Sequence, residues 1–168
     1  MFLKILRKEY EYNYGKKNFL TLRSIKWYLK APNYRVVVLL NYYQKVNSFL
    51  KKRIVANKLS VKYGVEVGTR PSIGKGLQIM HFQNLVIGNK VKIGDNVKLY
   101  QGVTLGEKNE GYPIIDDNVV VYPGAKVIGP IKIGKNSIIG ANSVVLKDVP
   151  ENVIVAGIPA RIINNISG

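Results

Sequence analysis

At 168 residues the chain suits one compact unit with a substantial core, and a separate second catalytic domain is not expected. It has no cysteine, which excludes disulfides, a thiolate zinc site and a cysteine nucleophile; one histidine with few clustered carboxylates argues against a metal site built from several protein ligands. The formal charge is +16 and unevenly spread: residues 1–64 hold 15 of the 26 Lys and Arg with only Glu9 and Glu11, a net of +13, while the remainder nets +3.

Residues 1–60 read as a basic α-helical segment. The start Met-Phe-Leu-Lys-Ile-Leu-Arg lacks a signal-peptide core and cleavage site, so a cytoplasmic protein is expected. A weak helical stretch covers about Asn18 to Lys30. A second helix is expected after Pro32-Asn33, with Leu39, Tyr43, Val46 and Leu50 on one face and Lys45, Lys51, Lys52, Arg53 and Lys58 over the rest. The longest aliphatic run, Val36 to Leu40, is far too short to cross a membrane. Three readings of this segment compete. It caps an open strand edge in the remainder of the chain; or residues 1–64 rest on the anionic inner face of the cell membrane, a peripheral contact; or, last because no recognition motif accompanies them, eight of the eleven tyrosines among these lysines bind single-stranded nucleic acid.

From Val67 onward an aliphatic residue returns every six positions. The series runs Val67, Ile73, Ile79, then Ile87, Ile93, Leu99, Leu105, then Ile115, Val121, Val127, Ile133, Ile139 and Val145. A helix needs apolar spacing near 3.6 and a half-buried strand near 2, so a period of six predicts a solenoid in which each hexad is a short strand plus a corner. Gly68, Gly74, Gly94 and Gly134 follow the aliphatic position, and glycine or asparagine is expected to relax the backbone at the corners. Two interruptions stand out. The phase slips by two residues between Ile79 and Ile87, around His81, and the rung after Leu105 is stretched by Glu107-Lys108-Asn109-Glu110-Gly111-Tyr112, giving a loop over 107–114. Insertions in a solenoid map to one face, often the binding face.

The segments Ile73-Gly-Lys-Gly-Leu-Gln-Ile-Met-His81, Val86-Ile-Gly, Leu99-Tyr-Gln-Gly-Val-Thr-Leu-Gly106, Gly124-Ala-Lys-Val-Ile-Gly129, Ile139-Gly-Ala-Asn-Ser-Val-Val145 and Gly157-Ile-Pro-Ala-Arg161 resemble the hexapeptide-repeat acyltransferases, and within them the serine acetyltransferase branch. The resemblance covers roughly residues 60 to 163. It implies a mainly β fold, a left-handed parallel β-helix over 61–163 behind the helical segment, with a short tail at 164–168. It also implies a homotrimer with acetyl-CoA in the grooves between subunits.

Acyl transfer to a hydroxyl needs a base within hydrogen-bond reach, and histidine suits that role near neutral pH. In an arbitrary chain a lone histidine is a surface residue; here His81 matches the family's catalytic histidine. Glu66 matches the aspartate that pairs with it. By the same resemblance the pantetheine arm runs along Gly106, Ala125 and Ala141, and the phosphates meet Lys126, Lys147 or Arg161; no metal is expected. Three positions depart from the branch. Met80 stands where an acid holds the serine ammonium, and Gly111 and Tyr112 stand where an arginine and a histidine surround its carboxylate. These departures lead to an expected acceptor other than serine: a sugar hydroxyl in capsule or exopolysaccharide synthesis, free or lipid-linked, met by Tyr112, Tyr100, Gln101, Asn109 and Glu110. Serine O-acetylation in cysteine biosynthesis is the alternative, and a non-catalytic solenoid that binds anionic surfaces the third.

Overall fold

The computed structural model describes residues 1–14 and 20–166; the expected helical residues Asn18 and Phe19, and Ser167 and Gly168 of the tail, lie outside the described residues. Four helices come first: α1 (Phe2–Tyr14), α2 (Leu20–Lys30), α3 (Pro32–Lys45) and α4 (Phe49–Tyr63). Pro32, with its preset φ, opens α3 at the first helical position. The helix expected to run on through Leu50 is instead broken. Val46 takes an extended conformation (φ −82°, ψ 132°), and α4 starts afresh after Ser48. Leu39, Tyr43 and Val46 are therefore buried, while Leu50, beyond the break, is 69% exposed. Gly64, left-handed at φ 63°, ends α4, its N–H donating to the Ser60 carbonyl at 2.9 Å.

The aliphatic run of α3 is apolar all round because both sides of the helix are covered. Tyr34 and Val38 pack with Ile5, Leu6 and Tyr10 of α1, whereas Val36, Val37, Leu39 and Leu40 join the core of the solenoid. Tyr10, Tyr34, Tyr43 and Tyr63 are buried in this packing, which removes them from any base-stacking platform. No helix among the described residues is long and apolar enough to cross a membrane.

Beyond the helices come thirteen short strands: β1 (Val65–Val67), β2 (Ser72–Ile73), β3 (Gln78–Ile79), β4 (Leu85–Ile87), β5 (Lys92–Ile93), β6 (Lys98–Leu99), β7 (Thr104–Gly106), β8 (Ile114–Ile115), β9 (Val120–Val121), β10 (Lys126–Ile128), β11 (Lys132–Ile133), β12 (Ile138–Ile139) and β13 (Val144–Val145). They form three parallel faces. Face A stacks β1-β4-β7-β10-β13, face B β2-β5-β8-β11, and face C β3-β6-β9-β12, so every third strand is a neighbour. This is the expected parallel β-helix. β14 (Val153–Gly157) adds to face C, and β15 (Ala160–Asn165) folds back antiparallel upon it, taking Asn164 and Asn165 out of the expected tail.

The six-residue series points inward: all its members are buried except Val67, which is partly buried at the edge of the first coil. A second inward set lies two residues earlier, including Leu77, Leu85, Val91, Val97, Val103, Val119 and Ala125, so each side of the prism contributes two side chains to the interior. Fully burying one Val, Leu or Ile stabilises by about 1.5–3 kcal/mol, and the stacked interior repeats that gain in every coil. The glycines after the strands have a different cause from the one expected. A Cβ at Gly68 would lie 2.2 Å from the Asn89 Cα and one at Gly134 2.4 Å from the Glu151 amide nitrogen, so the next coil occupies the space a side chain would need. Asparagine does relax the corners: Asn96, Asn118, Asn136 and Asn152 all have φ near 60° and stack at the corner between faces B and C. Their side-chain amides hydrogen-bond in series, Asn96 to Asn118 at 3.3 Å, Asn118 to Asn136 at 3.0 Å and Asn136 to Asn152 at 2.8 Å.

The helices cap the first coil, as the first reading of the basic segment expects. The Gln44 amide of α3 pairs with Ile73 of β2 in both directions, donating to its carbonyl at 3.0 Å and accepting from its N–H at 2.9 Å, so one side chain stands in for a missing strand.

Candidate functional site

His81 is exposed at the corner between faces C and A, in the turn lengthened by the two-residue phase slip before β4. Both neighbours of His81 in sequence are held by the N-terminal helices. The Met80 carbonyl accepts a hydrogen bond from the Asn33 amide of α3, and the Phe82 ring packs edge-on against Tyr63 of α4 (centroids 5.6 Å apart, 85° between planes). Arg35 lies over the other end of this stack, its guanidinium 6.0 Å from the Tyr63 centroid. Asn33, Phe82 and Tyr63 carry no chemistry of their own and no motif marks them; only the docking of α3 and α4 on the first coil brings them to the histidine.

The same corner continues upward through Tyr100, Gln101, Tyr122 and Ala141. Gly102 N–H donates to Gln83 O at 2.9 Å, Gly124 N–H to Gln101 O at 2.9 Å and Asn142 N–H to Pro123 O at 2.8 Å, which fixes these turns one above another. Tyr100 and Tyr122 stack at 5.2 Å. Gln101 has a buried Oε1 without a hydrogen-bond partner among the described residues, an acceptor left for a bound hydroxyl or ammonium. Tyr122 escapes sequence reading although it sits at the position of Tyr100 one coil higher.

Glu66 sits exposed on β1, beside Val86 of the next coil. It lies two residues beyond Gly64, where a Cβ would be 3.6 Å from the Asn84 amide nitrogen at the end of the histidine turn. The Glu66 side chain borders an open cavity of about 620 Å³ between α4 and β1, which Arg53 and Asn57 also line. No hydrogen bond joins Glu66 to His81 among the described residues.

The loop expected over 107–114 is a tight turn that ends sooner, since Ile114 already belongs to β8. Lys108 and Gly111 exchange backbone hydrogen bonds at 3.0 Å, with Asn109 and Glu110 both left-handed (φ 51° and 62°) and exposed. The Tyr112 hydroxyl donates to Glu107 Oε2 at 2.7 Å, and that bond holds the phenol above its ordinary pKa. This turn occupies the corner between faces A and B. One strand of face A, three residues or roughly 10 Å, separates it from the corner of His81. The expected acceptor residues thus divide into two groups: Tyr100 and Gln101 stand with His81, whereas Asn109, Glu110 and Tyr112 stand at the other corner.

The residues expected to hold a coenzyme also separate. Lys147 and Arg161 line one cavity of about 570 Å³ at the top of the solenoid, with Leu146 and Pro159 in its wall. Gly106 ends β7, where a Cβ would come 2.8 Å from Ile128 Cδ1. Lys126 donates from its Nζ to the Gly102 carbonyl at 2.5 Å. Ala141 is exposed, but Ala125 is not: its side chain is fully buried in the interior, so the expected contact of this side chain with a pantetheine arm is corrected to a core contact. No group of three or more metal-ligating side chains occurs among the described residues.

Residues 112–147 match the bacterial transferase hexapeptide family (six repeats). The chain is 44% identical over 126 residues to a serine acetyltransferase of Bacillus pumilus, across 73% of this chain and 58% of that protein. It therefore spans less than two thirds of the length of this curated relative. Among solved structures, a serine acetyltransferase from Brucella abortus superimposes with a TM-score of 0.82 at 30% identity, over 98% of this chain and 69% of that one. A serine acetyltransferase from the same organism in complex with coenzyme A gives a TM-score of 0.80 at 29% identity, over 98% and 68%. These comparisons overturn the expected sugar acceptor in surface-polysaccharide synthesis and favour the serine alternative. The departures at Met80, Gly111 and Tyr112 concern three side chains, and they weigh less than likeness along the whole solenoid and its helical cap. By repeat, fold and relatives, the chain belongs to the hexapeptide-repeat acyltransferases, in their serine acetyltransferase-like branch.

Proposed function

We propose that this chain is a serine O-acetyltransferase that takes its acetyl group from acetyl-CoA and works as a homotrimer. The observation that carries this reading is the 44% identity to the Bacillus pumilus serine acetyltransferase. His81 takes the proton from the serine hydroxyl as its oxygen attacks the thioester carbonyl carbon, the carbon–sulfur bond breaks, and the proton passes to the departing CoA sulfur. Glu66, near the histidine turn, is the carboxylate that orients the imidazole and stabilises its charged form. Gln101 Oε1 supplies an acceptor beside the histidine, and Lys147 with Arg161 supplies cationic charge for the phosphates of the coenzyme. The turn at 107–112 lies at the opposite corner of face A, so it meets the His81 corner of a neighbouring copy in a trimer. A reaction between acetyl-CoA and free serine belongs in the cytoplasm, and we place the chain there.

The test is thiol release from acetyl-CoA with L-serine, comparing wild type with His81→Ala at matched oligomeric state. Serine-dependent release by wild type, lowered at least about 10²-fold in the variant, is the expected result. Wild type that ignores serine, or a variant that keeps its turnover, overturns the reading.

A further inference from the structure

A serine carboxylate calls for a cation, and the turn at 107–112 does not offer the expected one. A Cβ at Gly111 would lie 2.5 Å from the Pro130 Cβ, so the turn is packed around the absence of a side chain there. The Tyr112 hydroxyl is committed to Glu107, and Glu107 with Glu110 sets two acids against Lys108 in the same turn. An anionic group left unpaired in a site is costly, so the charge must be met elsewhere. Helix α4 supplies it. Arg53, Ala56, Asn57 and Ser60 stand at i, i+3, i+4 and i+7, one face of the helix, and all four line the cavity of about 620 Å³ that Glu66 and Val67 border from β1. Of the five cations of α4, Arg53 lines this cavity, whereas Lys52 lies over the Tyr43 ring, 5.4 Å from its centroid. Among the described residues no ion pair or hydrogen bond engages the Arg53 guanidinium.

We propose that Arg53 anchors the carboxylate of the amino-acid acceptor in the cavity between α4 and β1, leaving the hydroxyl end of that acceptor for His81. The inference rests on the serine reading and names the residue that selects a free α-amino acid. Position agrees with it. Glu66 lies two residues beyond Gly64, and Gly64 adjoins Asn84 at the end of the histidine turn, so the cavity stands at the histidine end of the solenoid. Lys147 and Arg161, which serve the coenzyme phosphates in that reading, line a different cavity at the top, so the anion that Arg53 meets belongs to the acceptor and not to the coenzyme. The planar fork of arginine pairs with both carboxylate oxygens at once, and the Asn57 amide and Ser60 hydroxyl add donors on the same wall. Glu66, on the β1 side, repels a carboxylate. The two walls therefore orient a zwitterion with its carboxylate towards α4.

Thiol release from acetyl-CoA by the full chain, with L-serine and with L-serinamide as acceptors, tests this in wild type, Arg53→Ala and Arg53→Lys. Serinamide keeps the hydroxyl and the amine but replaces the carboxylate by a neutral amide. The expected wild type prefers serine in kcat/KM by at least about tenfold, the worth of a charge-assisted pair. In Arg53→Ala the KM for serine rises at least about tenfold, serinamide stays within about twofold of wild type, and the preference vanishes; the KM for acetyl-CoA does not move. Arg53→Lys falls between, since it keeps the charge and loses the fork. Arg53 is exposed, so both variants should fold, and thermal melts check it; if the alanine variant does not, the lysine variant decides alone. A variant that still prefers serine as strongly as wild type, whether fully active or slowed equally on both acceptors, overturns the anchor and leaves serine acetylation standing. Wild type that uses serine and serinamide alike overturns it too. Wild type that releases no thiol with either acceptor overturns the serine reading itself, and the anchor with it.

Discussion

Removing the Asn33 amide separates the holding of His81 from the stability of the fold. Asn33 donates to the Met80 carbonyl on one side of the histidine, and Phe82 leans on Tyr63 on the other, so the turn is clamped between α3 and α4. In Asn33→Ala the Met80 carbonyl, at a residue 39% exposed, passes to water, which limits the loss to about 1 kcal/mol. For a chain of this size that is a fall in Tm of about 2–4 °C. The kinetic effect is larger. A general base displaced by about 1 Å loses up to about 10²-fold in rate, so kcat with L-serine is expected to fall at least about tenfold. The KM for acetyl-CoA stays unchanged, because Lys147 and Arg161 lie at the other end of the solenoid. Asn33→Asp, which keeps the shape but cannot donate, should fall at least as far. Steady-state kinetics beside thermal melts of both variants decide the matter: kcat within twofold of wild type in both, with a lowered Tm, refutes the positioning role.

Two further predictions concern the fold. Asn118 combines φ 58° with two side-chain hydrogen bonds in its ladder, so Asn118→Ala should cost about 2–4 kcal/mol and Asn118→Gly less, since glycine tolerates the backbone while losing the bonds; denaturant unfolding that ranks glycine as the worse substitution speaks against this account. Glu9 is buried in the helical cap, and burial lifts its pKa from 4.5 to about 7 against the opposing pull of Lys45. The folded chain then binds this proton more tightly than the unfolded one. Its contribution to stability is greatest below pH 4.5, declines as pH rises to about 7 and is flat above, a total on the order of 3 kcal/mol. Glu9→Gln should remove that decline, and melts of both proteins between pH 4 and 8 that run parallel would exclude it.

Much of the solenoid is legible in the sequence because its period has one physical cause, the return of a side chain to the interior once per face. The phase slip at His81 and the stretched rung at 107–112 are equally visible, and both mark corners that bear candidate site residues. What the period conceals is the second inward set two residues earlier; Ala125 belongs to that set, which is why its side chain meets the core and not the surface. The glycines stand where the repeat places them but for another reason, since a sequence does not display how near the next coil lies. The break at Val46 is hidden because an apolar series can continue across two helices. The departure at Met80 is equally legible, but one position weighs less than 44% identity over 126 residues to a serine acetyltransferase, and that likeness is what moves the proposed acceptor from a sugar to serine.

A stack of identical coils has no intrinsic length, and any parallel strand edge it leaves open is an invitation to grow. In this chain growth is stopped at both ends by unlike means. At the bottom Gln44 answers the donor and acceptor of Ile73 with a single amide, and at the top β15 runs against the direction of every strand beneath it. Gln44 closes face B below β2 and β15 closes face C beyond β14, so the number of strands on these two faces is set by terminators and not by the repeat, much as a polymer's length is set by its end groups. Gln44→Ala would leave the terminator at the top in place and open the one at the bottom, and the hazard it creates is end-to-end joining of otherwise intact molecules.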